Sequence, residues 1–428
     1  MPQYFSTEEA LAKLKRFFSL DCELLRHVIG YEPLIPSYAD KCTVVRHVYE
    51  DLKRNRTLRE RIQDFGIVQP DKQLDPVWSN LVRHLMAAPN AHCFVGALYR
   101  VLKPAQAAAY RTYATCTLRL NDAPSVEAIE DHLPALDRQI AWGKQYLEHG
   151  RVSAKDEREV ERFEEEIRAH MAALGGLYEG AATEAAAGLP EYPEFRVPAT
   201  MELERTFVWH SAERIVEGVF ENEDYKAHHS YTHFTELPII DLCATIVYDG
   251  RHLGFDYIAD FIRQTWDEVR HSQMGFSRLL AMGHNPYEVP IPVGHYQAYT
   301  SLPLAERIAA LTQVGEACSF APKKQWTKLA EEHGDLLTAL EHDFDIVDEK
   351  NHVKFGAKWL KELIARNKEE RDFKQLVQDA EWNVRVVLNE VKKEKGEKWA
   401  ADGELGPRFE GCQVTDSPLN LAPNIIIA

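Results

Sequence analysis

The chain has 428 residues, of which 45% are hydrophobic and 27% charged, and its formal net charge is −17. The composition is that of an ordinary globular protein rather than a disordered one, and the length predicts two or three domains. The negative charge disfavours nucleic acid as a partner, because such proteins gain affinity from Lys and Arg placed against phosphate.

The sequence also predicts no association with membranes. It contains no apolar run of the roughly 18 residues that a membrane-spanning helix needs, and its first residues lack the pattern of a secretory signal. The seven cysteines are scattered and form no C-x-x-C pair. They are therefore expected to be reduced thiols in a cytoplasmic protein.

Helical periodicity dominates the chain, which predicts an all-α fold. Residues 1–190 are predicted to form a helical accessory domain, with a degenerate second bundle as the alternative. Its first helix has Ser6 and Glu9 in place for a capping box, and "SAKDEREVERFEEEIRAHMAALGG" is a charged amphipathic helix. Three prolines in "EAAAGLPEYPEFRVPAT" mark a domain boundary near residues 187–199.

The second predicted domain covers residues 200–366 and contains four helices, at about 226–249, 255–282, 304–319 and 335–366. Pro238 lies inside the first of them, so we expect either a kink or a different helix boundary there. The segment "GHNPYEVPIPVGHYQAYTSLP" is predicted to be an irregular crossover between the second and third helices. Residues 367–428 are predicted to form a C-terminal helix and an irregular tail. The basic segments "KKQWTK" and "KFGAKWLKELIARNK" are expected to be solvated helix faces.

Carboxylates and imidazoles recur on these four helices. Glu268 and His271, and likewise Glu349 and His352, form two Glu-x-x-His pairs, whose members share a helical face. Two further carboxylates stand in apolar stretches, where a charge is costly unless it is paired or bound to a metal. The six predicted metal ligands, in chain order, are Glu236, Glu268, His271, Glu316, Glu349 and His352.

The spacing of these residues fits one template. Glu236 and Glu268 are 32 positions apart and Glu316 and Glu349 are 33 apart, as in two helical hairpins, while the 48 positions from Glu268 to Glu316 leave room for a crossover. An oxygen-rich site with one imidazole per ion suits iron or manganese. Taken alone, each residue fits an ordinary role better, as a solvated carboxylate or a structural histidine, and only the joint pattern of four helices and three spacings favours a metal site. Glu268 and Glu349 in particular follow Asp267 and Asp348.

Other residues are candidates for supporting roles. His229 and His233 share a face with Glu236, and either is predicted to be an additional ligand or a proton shuttle, with an exposed helix start as the alternative. Asp345 is predicted to orient a ligand histidine from the second coordination shell, with a Lys pair as the alternative. Cys318 is expected to point away from the metals.

The segments "ELPIIDL", "DEVRH", "VGEACSFAP" and "DEKNHVKFGAKWL" resemble the ferritin-like superfamily over roughly residues 225–365. More narrowly, they resemble a bacterial family of unknown function that is distantly similar to diiron tRNA hydroxylases. The resemblance implies a ferritin-like four-helix bundle whose inner face binds two metal ions through the six residues.

These patterns predict an enzyme, a non-heme diiron oxygenase or oxidase. We expect two iron ions, with manganese or a mixed Fe/Mn pair as alternatives, and dioxygen as co-substrate. A small organic molecule is the expected substrate. The sequence has no flavin or iron–sulfur motif, so the electron donor is expected to be external; a homodimer is left open. The alternatives are a ferroxidase or other metal-handling protein, a tRNA hydroxylase, and a structural helical protein without metal.

Overall fold

The computed structural model describes residues 4–149, 154–178, 180, 183–198, 201–210, 219–220 and 225–395. The predicted irregular tail after residue 400 lies outside these residues. Within them all regular secondary structure is helical apart from two strands of three residues each, so the predicted all-α class is confirmed. The α-helices are α1 (Thr7–Val28), α2 (Tyr38–Asp64), α3 (Val77–Met86), α4 (Ala91–Gly96), α5 (Lys103–Cys116), α6 (Ala123–Glu130), α7 (Leu133–His149), α8 (Ala154–Ala173), α9 (Tyr225–Phe234), α10 (Leu237–Asp249), α11 (Phe255–Ala281), α12 (Gly294–Thr300), α13 (Leu304–Ile308), α14 (Ala317–Glu332), α15 (Leu336–Asn367) and α16 (Phe373–Lys395).

Shorter elements lie between these helices. The 3₁₀ helices are Ile29–Leu34, Pro70–Lys72, Glu184–Gly188, Arg251–Leu253 and Pro286–Glu288, the π-helices are Ala97–Leu102 and Ala309–Glu316, and the strands are β1 (Val208–His210) and β2 (Pro290–Pro292). The strands pair in parallel, with Trp209 opposite Ile291.

Contacts between Cα atoms divide the chain into two compact units. One contains Met1–Ile35 and Arg46–Val197, and the other contains Pro36–Val45 and Pro198–Ala428. In the first unit, the predicted capping box at Ser6 is present, with Glu9 bonded in both directions. A buried ionic network crosses its interior, where the guanidinium of Arg54 lies 3.0 Å from Asp21 and 2.8 Å from Asp51.

In the second unit, α11 packs against α9, α10 and α15, and α15 packs against α14 and the second π-helix. The predicted helix 226–249 is divided into α9 and α10 between Phe234 and Leu237, so the boundary differs there, as the alternative stated for Pro238 allowed. Pro238 is the cause: at the second position of α10 its missing N–H costs nothing, whereas inside a continuous helix it would break a hydrogen bond. Glu236 is the residue that precedes α10.

The predicted helix 304–319 is also longer than expected. It runs as α13, the π-helix Ala309–Glu316 and α14, which continues to Glu332 with Pro322 inside it. The predicted crossover is not wholly irregular, since it contains β2 and α12. Its prolines and glycines indicated chain breaks correctly, but they did not reveal the short elements between the breaks.

Two further expectations concern the whole chain. Within the described ranges, no helix combines the length and apolarity needed to cross a bilayer. The six cysteines that these ranges include are all thiols rather than disulfides, as predicted.

Candidate metal centre

Four helical segments bring the six predicted ligands together. Helix α11 supplies Glu268 and His271, and α15 supplies Glu349 and His352. Glu236 lies at the break before α10, and Glu316 ends the π-helix. Five of the six are buried, and the side chain of Glu236 is 19% exposed.

The ligating atoms form two neighbouring groups. One contains Glu268, Glu316 and His352, and within it the atoms all lie within 4.8 Å of one another. The other contains Glu236, His271, Asp345 and Glu349, with the same spread. Each group has the residue types and the spacing to hold a metal ion.

Glu268 connects the two groups. Its Oε1 lies 3.3 Å from Nδ1 of His352, and its Oε2 lies 3.8 Å from Nδ1 of His271. The two imidazole rings are 6.2 Å apart between centroids. One carboxylate therefore faces both imidazoles with one oxygen each, as a bridging ligand would.

Each of the six residues has one donor atom that is buried and lacks a hydrogen-bond partner among the described residues. These atoms are Oε2 of Glu236, Oε1 of Glu268, Nδ1 of His271, Oε2 of Glu316, Oε2 of Glu349 and Nδ1 of His352. Leaving a buried polar atom unsatisfied typically costs about 1–3 kcal/mol. Two of these atoms, Nδ1 of His271 and Oε2 of Glu236, lie 3.0 Å apart. Six such atoms on residues that form two close groups fit a centre that binds cations.

The outer nitrogens of both histidines are held by aspartates in a reciprocal arrangement. Asp348 on α15 lies 3.4 Å from Nε2 of His271 on α11, and Asp267 on α11 lies 3.4 Å from Nε2 of His352 on α15. Both aspartates are buried, and so are Glu268 and Glu349, for which the alternative of a solvated carboxylate is therefore wrong. A carboxylate that accepts the Nε2 proton leaves Nδ1 as the lone-pair donor, which fixes the tautomer that a metal requires.

Lys323 is an unexpected member of the centre. Its Nζ lies 2.8 Å from Oε1 of Glu349, 2.6 Å from Oδ2 of Asp345 and 3.8 Å from Oε1 of Glu236. The expectation that "KKQWTK" is a solvated helix face is therefore wrong for its first residue, which is buried. The ammonium group supplies positive charge to the Glu236 group, whereas the Glu268 group contains no Lys or Arg within 4.0 Å among the described residues.

Burial and neighbouring charges shift the pKa values of the carboxylates and imidazoles of the centre. Burial raises the pKa of Glu268 to about 7 and raises the pKa of Glu316 well above its usual value. Burial alone would lower the pKa of His271, but the carboxylates of Asp345 and Glu236 raise it well above its usual value. The pKa values of both the carboxylates and the imidazole are therefore raised. Raised pKa values of both kinds indicate a site with excess negative charge.

A histidine cluster adjoins the centre. His229 and His233 on α9 are buried, so the alternative of an exposed helix start is wrong for them. His233 Nε2 lies 3.1 Å from Oδ2 of Asp345, and the ring of His342 lies 4.8 Å from that of His233. Burial lowers the pKa of His342 to about 2 and that of His229 to about 4, so both rings are neutral at pH 7.

A cavity of about 270 Å³ opens onto the carboxylates. Ile239, Tyr299, Leu311 and Trp326 give it an apolar wall, and Thr232, Thr235, Ser319 and Lys323 add polar groups. Cys318 also lines this cavity, although it belongs to neither ligand group. The centre therefore has room beside it for a small molecule.

Sequence reasoning missed three kinds of residue. Both ligand pairs belong to a repeated D-E-x-x-H pattern, in "DEVRH" and "DEKNH", and the repeated Asp could have indicated the reciprocal hydrogen bonds. His342 precedes Asp345 by three positions and so shares its helical face. Lys323 carries no local signal, because the sequence shows only a basic run.

The chain was compared with known families, proteins and structures. The profile of the family described as "Protein of unknown function (DUF455)" matches residues 159–396, which is more than half of the chain. No curated protein and no solved structure matches it.

Proposed function

We propose an oxidative metal-dependent function for this chain, which belongs to the DUF455 family of proteins of unknown function. The proposal is a non-heme dimetal oxygenase or oxidase built on a ferritin-like four-helix bundle. Iron is the preferred metal, with manganese or a mixed pair as alternatives. The supporting observation is that all six predicted ligands converge and each has one buried donor atom without a hydrogen-bond partner among the described residues.

The donor set determines the preferred ions. Four glutamates and two imidazoles form a hard, oxygen-rich set that suits iron or manganese better than copper or zinc. When bound, two such ions would bind dioxygen and exchange electrons with it. The electrons are proposed to come from an external donor.

The protein groups would then orient the ligands. Glu268 would contribute one oxygen beside each histidine ligand, because its two oxygens face different imidazoles. Asp267 and Asp348 would keep Nδ1 of His352 and His271 free of protons and aimed inward. Gln264 donates a hydrogen bond of 2.6 Å to Oε1 of Glu316, which would fix the orientation of that ligand.

The cavity supports an organic substrate over a purely ferroxidase function. A ferroxidase needs only a hydrophilic path for ions, whereas this cavity has Tyr299, Leu311 and Trp326 in its wall. Sites for small organic molecules are mostly apolar with a few polar groups that fix orientation. The hydroxyls of Thr232 and Thr235 are such groups.

Metal content is the first test. The full chain would be loaded anaerobically with Fe²⁺ or Mn²⁺, desalted and analysed for metal, beside Glu268→Ala and Glu349→Ala variants. We expect about two ions per chain in the parent, following the ferritin-like template, and a loss in both variants. Glu362→Ala is the matched control, because Glu362 lies on α15 in an exposed ion pair with Arg366. Equal metal content in all four proteins would refute the proposal.

Dioxygen consumption separates the oxygenase or oxidase from a ferroxidase. An iron-loaded oxygenase or oxidase should stop consuming dioxygen once its bound iron is oxidised, and should resume only when substrate and reductant are added. A ferroxidase should continue to oxidise each added portion of Fe²⁺ and retain it. A tRNA hydroxylase should instead bind tRNA with a strong dependence on salt.

A further inference from the structure

Three imidazoles cluster beside the candidate centre and are not part of the six-residue ligand set. His229 and His233 lie one turn apart on α9, and His342 lies on the facing side of α15. The ring of His342 is 5.0 Å from that of His229 and 4.8 Å from that of His233. Asp345, one turn after His342, adds a carboxylate.

The nitrogen atoms of this cluster are buried and lack partners. His342 is 0% exposed, and neither of its ring nitrogens has a hydrogen-bond partner among the described residues. The Nδ1 atoms of His229 and His233 are also without partners there. A histidine that serves only for packing would usually bond at least one nitrogen. Four unpartnered nitrogens in one pocket therefore indicate a ligand.

The surroundings would exclude water from such a ligand. The indole of Trp326 lies 4.8 Å from the ring of His229 and 5.5 Å from that of His342. Both ring pairs are tilted, at 34° and 44°, and an indole supplies no hydrogen-bond acceptor for the imidazole nitrogens. The cluster is thus a buried pocket lined by three imidazoles and one indole.

We propose that His233, His342 and Asp345, with His229 as a fourth donor, form a separate imidazole-rich site for Zn²⁺ or a similar late divalent ion. The ligand atoms of His233, His342 and Asp345 lie within 4.8 Å of one another. Tetrahedral zinc with bonds of about 2.0–2.1 Å needs donor atoms roughly 3.3–3.4 Å apart. Nε2 of His233 and Oδ2 of Asp345 are 3.1 Å apart in a hydrogen bond, which an ion bound between them would replace.

Asp345 separates this site from the carboxylate centre. Its Oδ2 faces His233 at 3.1 Å, and its Oδ1 faces His271 at 3.6 Å. The ammonium of Lys323 lies 2.6 Å from Oδ2 of Asp345. A metal ion bound to that oxygen would therefore displace the ammonium towards Glu349. Nitrogen-rich donors select later ions than oxygen-rich donors do. The two sites should therefore differ in metal preference, and this proposal does not depend on the oxidative function.

The test uses Co²⁺ as a coloured probe for Zn²⁺ on the metal-stripped full chain. We expect the visible absorption of tetrahedral Co²⁺ and its loss when Zn²⁺ is added. His342→Leu should abolish the band and lose one Zn²⁺ per chain by elemental analysis. Glu268→Ala should keep the Co²⁺ band, because Glu268 belongs to the neighbouring ligand group. His333→Gln, which changes an exposed histidine just after α14, is the matched control and should keep both the band and the Zn²⁺.

Two further variants guard against a folding defect. His342→Gln retains a polar side chain of similar volume, and His229→Phe alters the cluster from α9; both should weaken the band at least tenfold while the helical circular dichroism stays unchanged. A parent protein without the Co²⁺ band would overturn the proposal, as would an equal band in a folded His342→Gln protein. Failure of the oxidative proposal would show differently, as unchanged iron or manganese content in Glu268→Ala.

Discussion

Lys323 is the residue whose replacement tests the electrostatics of the centre most directly. Its ammonium lies 2.8 Å from Glu349 and 2.6 Å from Asp345 and is buried with them. A metal ion bound by Glu236, His271, Asp345 and Glu349 would neutralise the negative charge of the same two carboxylates. Lys323 and that ion therefore compete, and the Lys323→Met substitution should raise metal affinity while it destabilises the metal-free protein.

The magnitude follows from a thermodynamic cycle. Removing one partner of a buried ion pair costs roughly 3–5 kcal/mol, because the other charge is left uncompensated. A divalent ion restores that compensation, so metal binding should gain up to the same free energy. At about 1.4 kcal/mol for each factor of ten, the ceiling is roughly 100-fold to several thousand-fold in affinity. In Lys323→Met, protonation of the carboxylates would remove part of the uncompensated negative charge at neutral pH. We therefore expect a gain in metal affinity of about 10- to 100-fold.

The assay is competition for Mn²⁺ against a chelator, together with thermal unfolding of metal-free and metal-loaded protein. The parent, Lys323→Met and Lys328→Met would be compared. Lys328 is the matched control, since it lies on α14 with its side chain 76% exposed. Metal should raise the unfolding temperature most in Lys323→Met. Unchanged affinity in that variant, or an equal gain in Lys328→Met, would refute the competition between ammonium and metal.

Two other predictions concern packing and pH. A Cβ atom at Gly275 would lie 2.3 Å from the backbone nitrogen of Phe234. Gly275→Ala should therefore destabilise the second unit by about 3 kcal/mol through overpacking and lower its unfolding temperature, measured by calorimetry, by roughly 6–12 °C. Ser277→Ala, at an exposed position on the same helix, should leave that unfolding temperature unchanged. Burial lowers the pKa values of His84 and His170 to about 4. These two imidazoles therefore bind fewer protons in the folded first unit than in the unfolded chain. The free energy of unfolding should fall as the pH drops from about 6.5 towards 4, because only the unfolded chain takes up these protons readily. Between pH 6.5 and 4, the unfolding temperature of a His84→Phe, His170→Leu double variant should depend less steeply on pH than that of the parent. An equal pH dependence in the two proteins would contradict the attribution to these histidines.

The order of helices in the second unit could be predicted because it is a property of local pattern. Periodicity identified the regions of α11 and α15, and the Glu-x-x-His pairs identified the faces that turn inward. Pro238 correctly indicated a local problem at Glu236, because a proline acts on its own backbone. What was predictable depends on residues within about one helical turn of each other.

The remaining features depend on contacts between helices. The π-helix that ends at Glu316 has no signal in the sequence that we recognised, and such insertions are frequent at functional sites because they re-aim a side chain. Lys323 enters the centre from α14, which extends beyond its predicted end. A basic run reads as a solvated face until the helix that buries one member of it is known. Long-range partners of this kind cannot be read from spacing.

The reciprocal aspartates explain why two D-E-x-x-H segments are needed together. In each segment the Glu and His point into the centre, while the Asp serves the histidine of the other helix: Asp267 bonds His352, and Asp348 bonds His271. Arg270 lies 2.6 Å from Asp267 and 2.9 Å from Asp348 and so joins the two. Each ring is thus oriented by the opposite helix, and a shift of α11 along α15 would misalign both imidazoles at once. The geometry of the centre therefore depends on the register between α11 and α15. Neither D-E-x-x-H segment can orient its own histidine alone, because each needs the aspartate of the other helix.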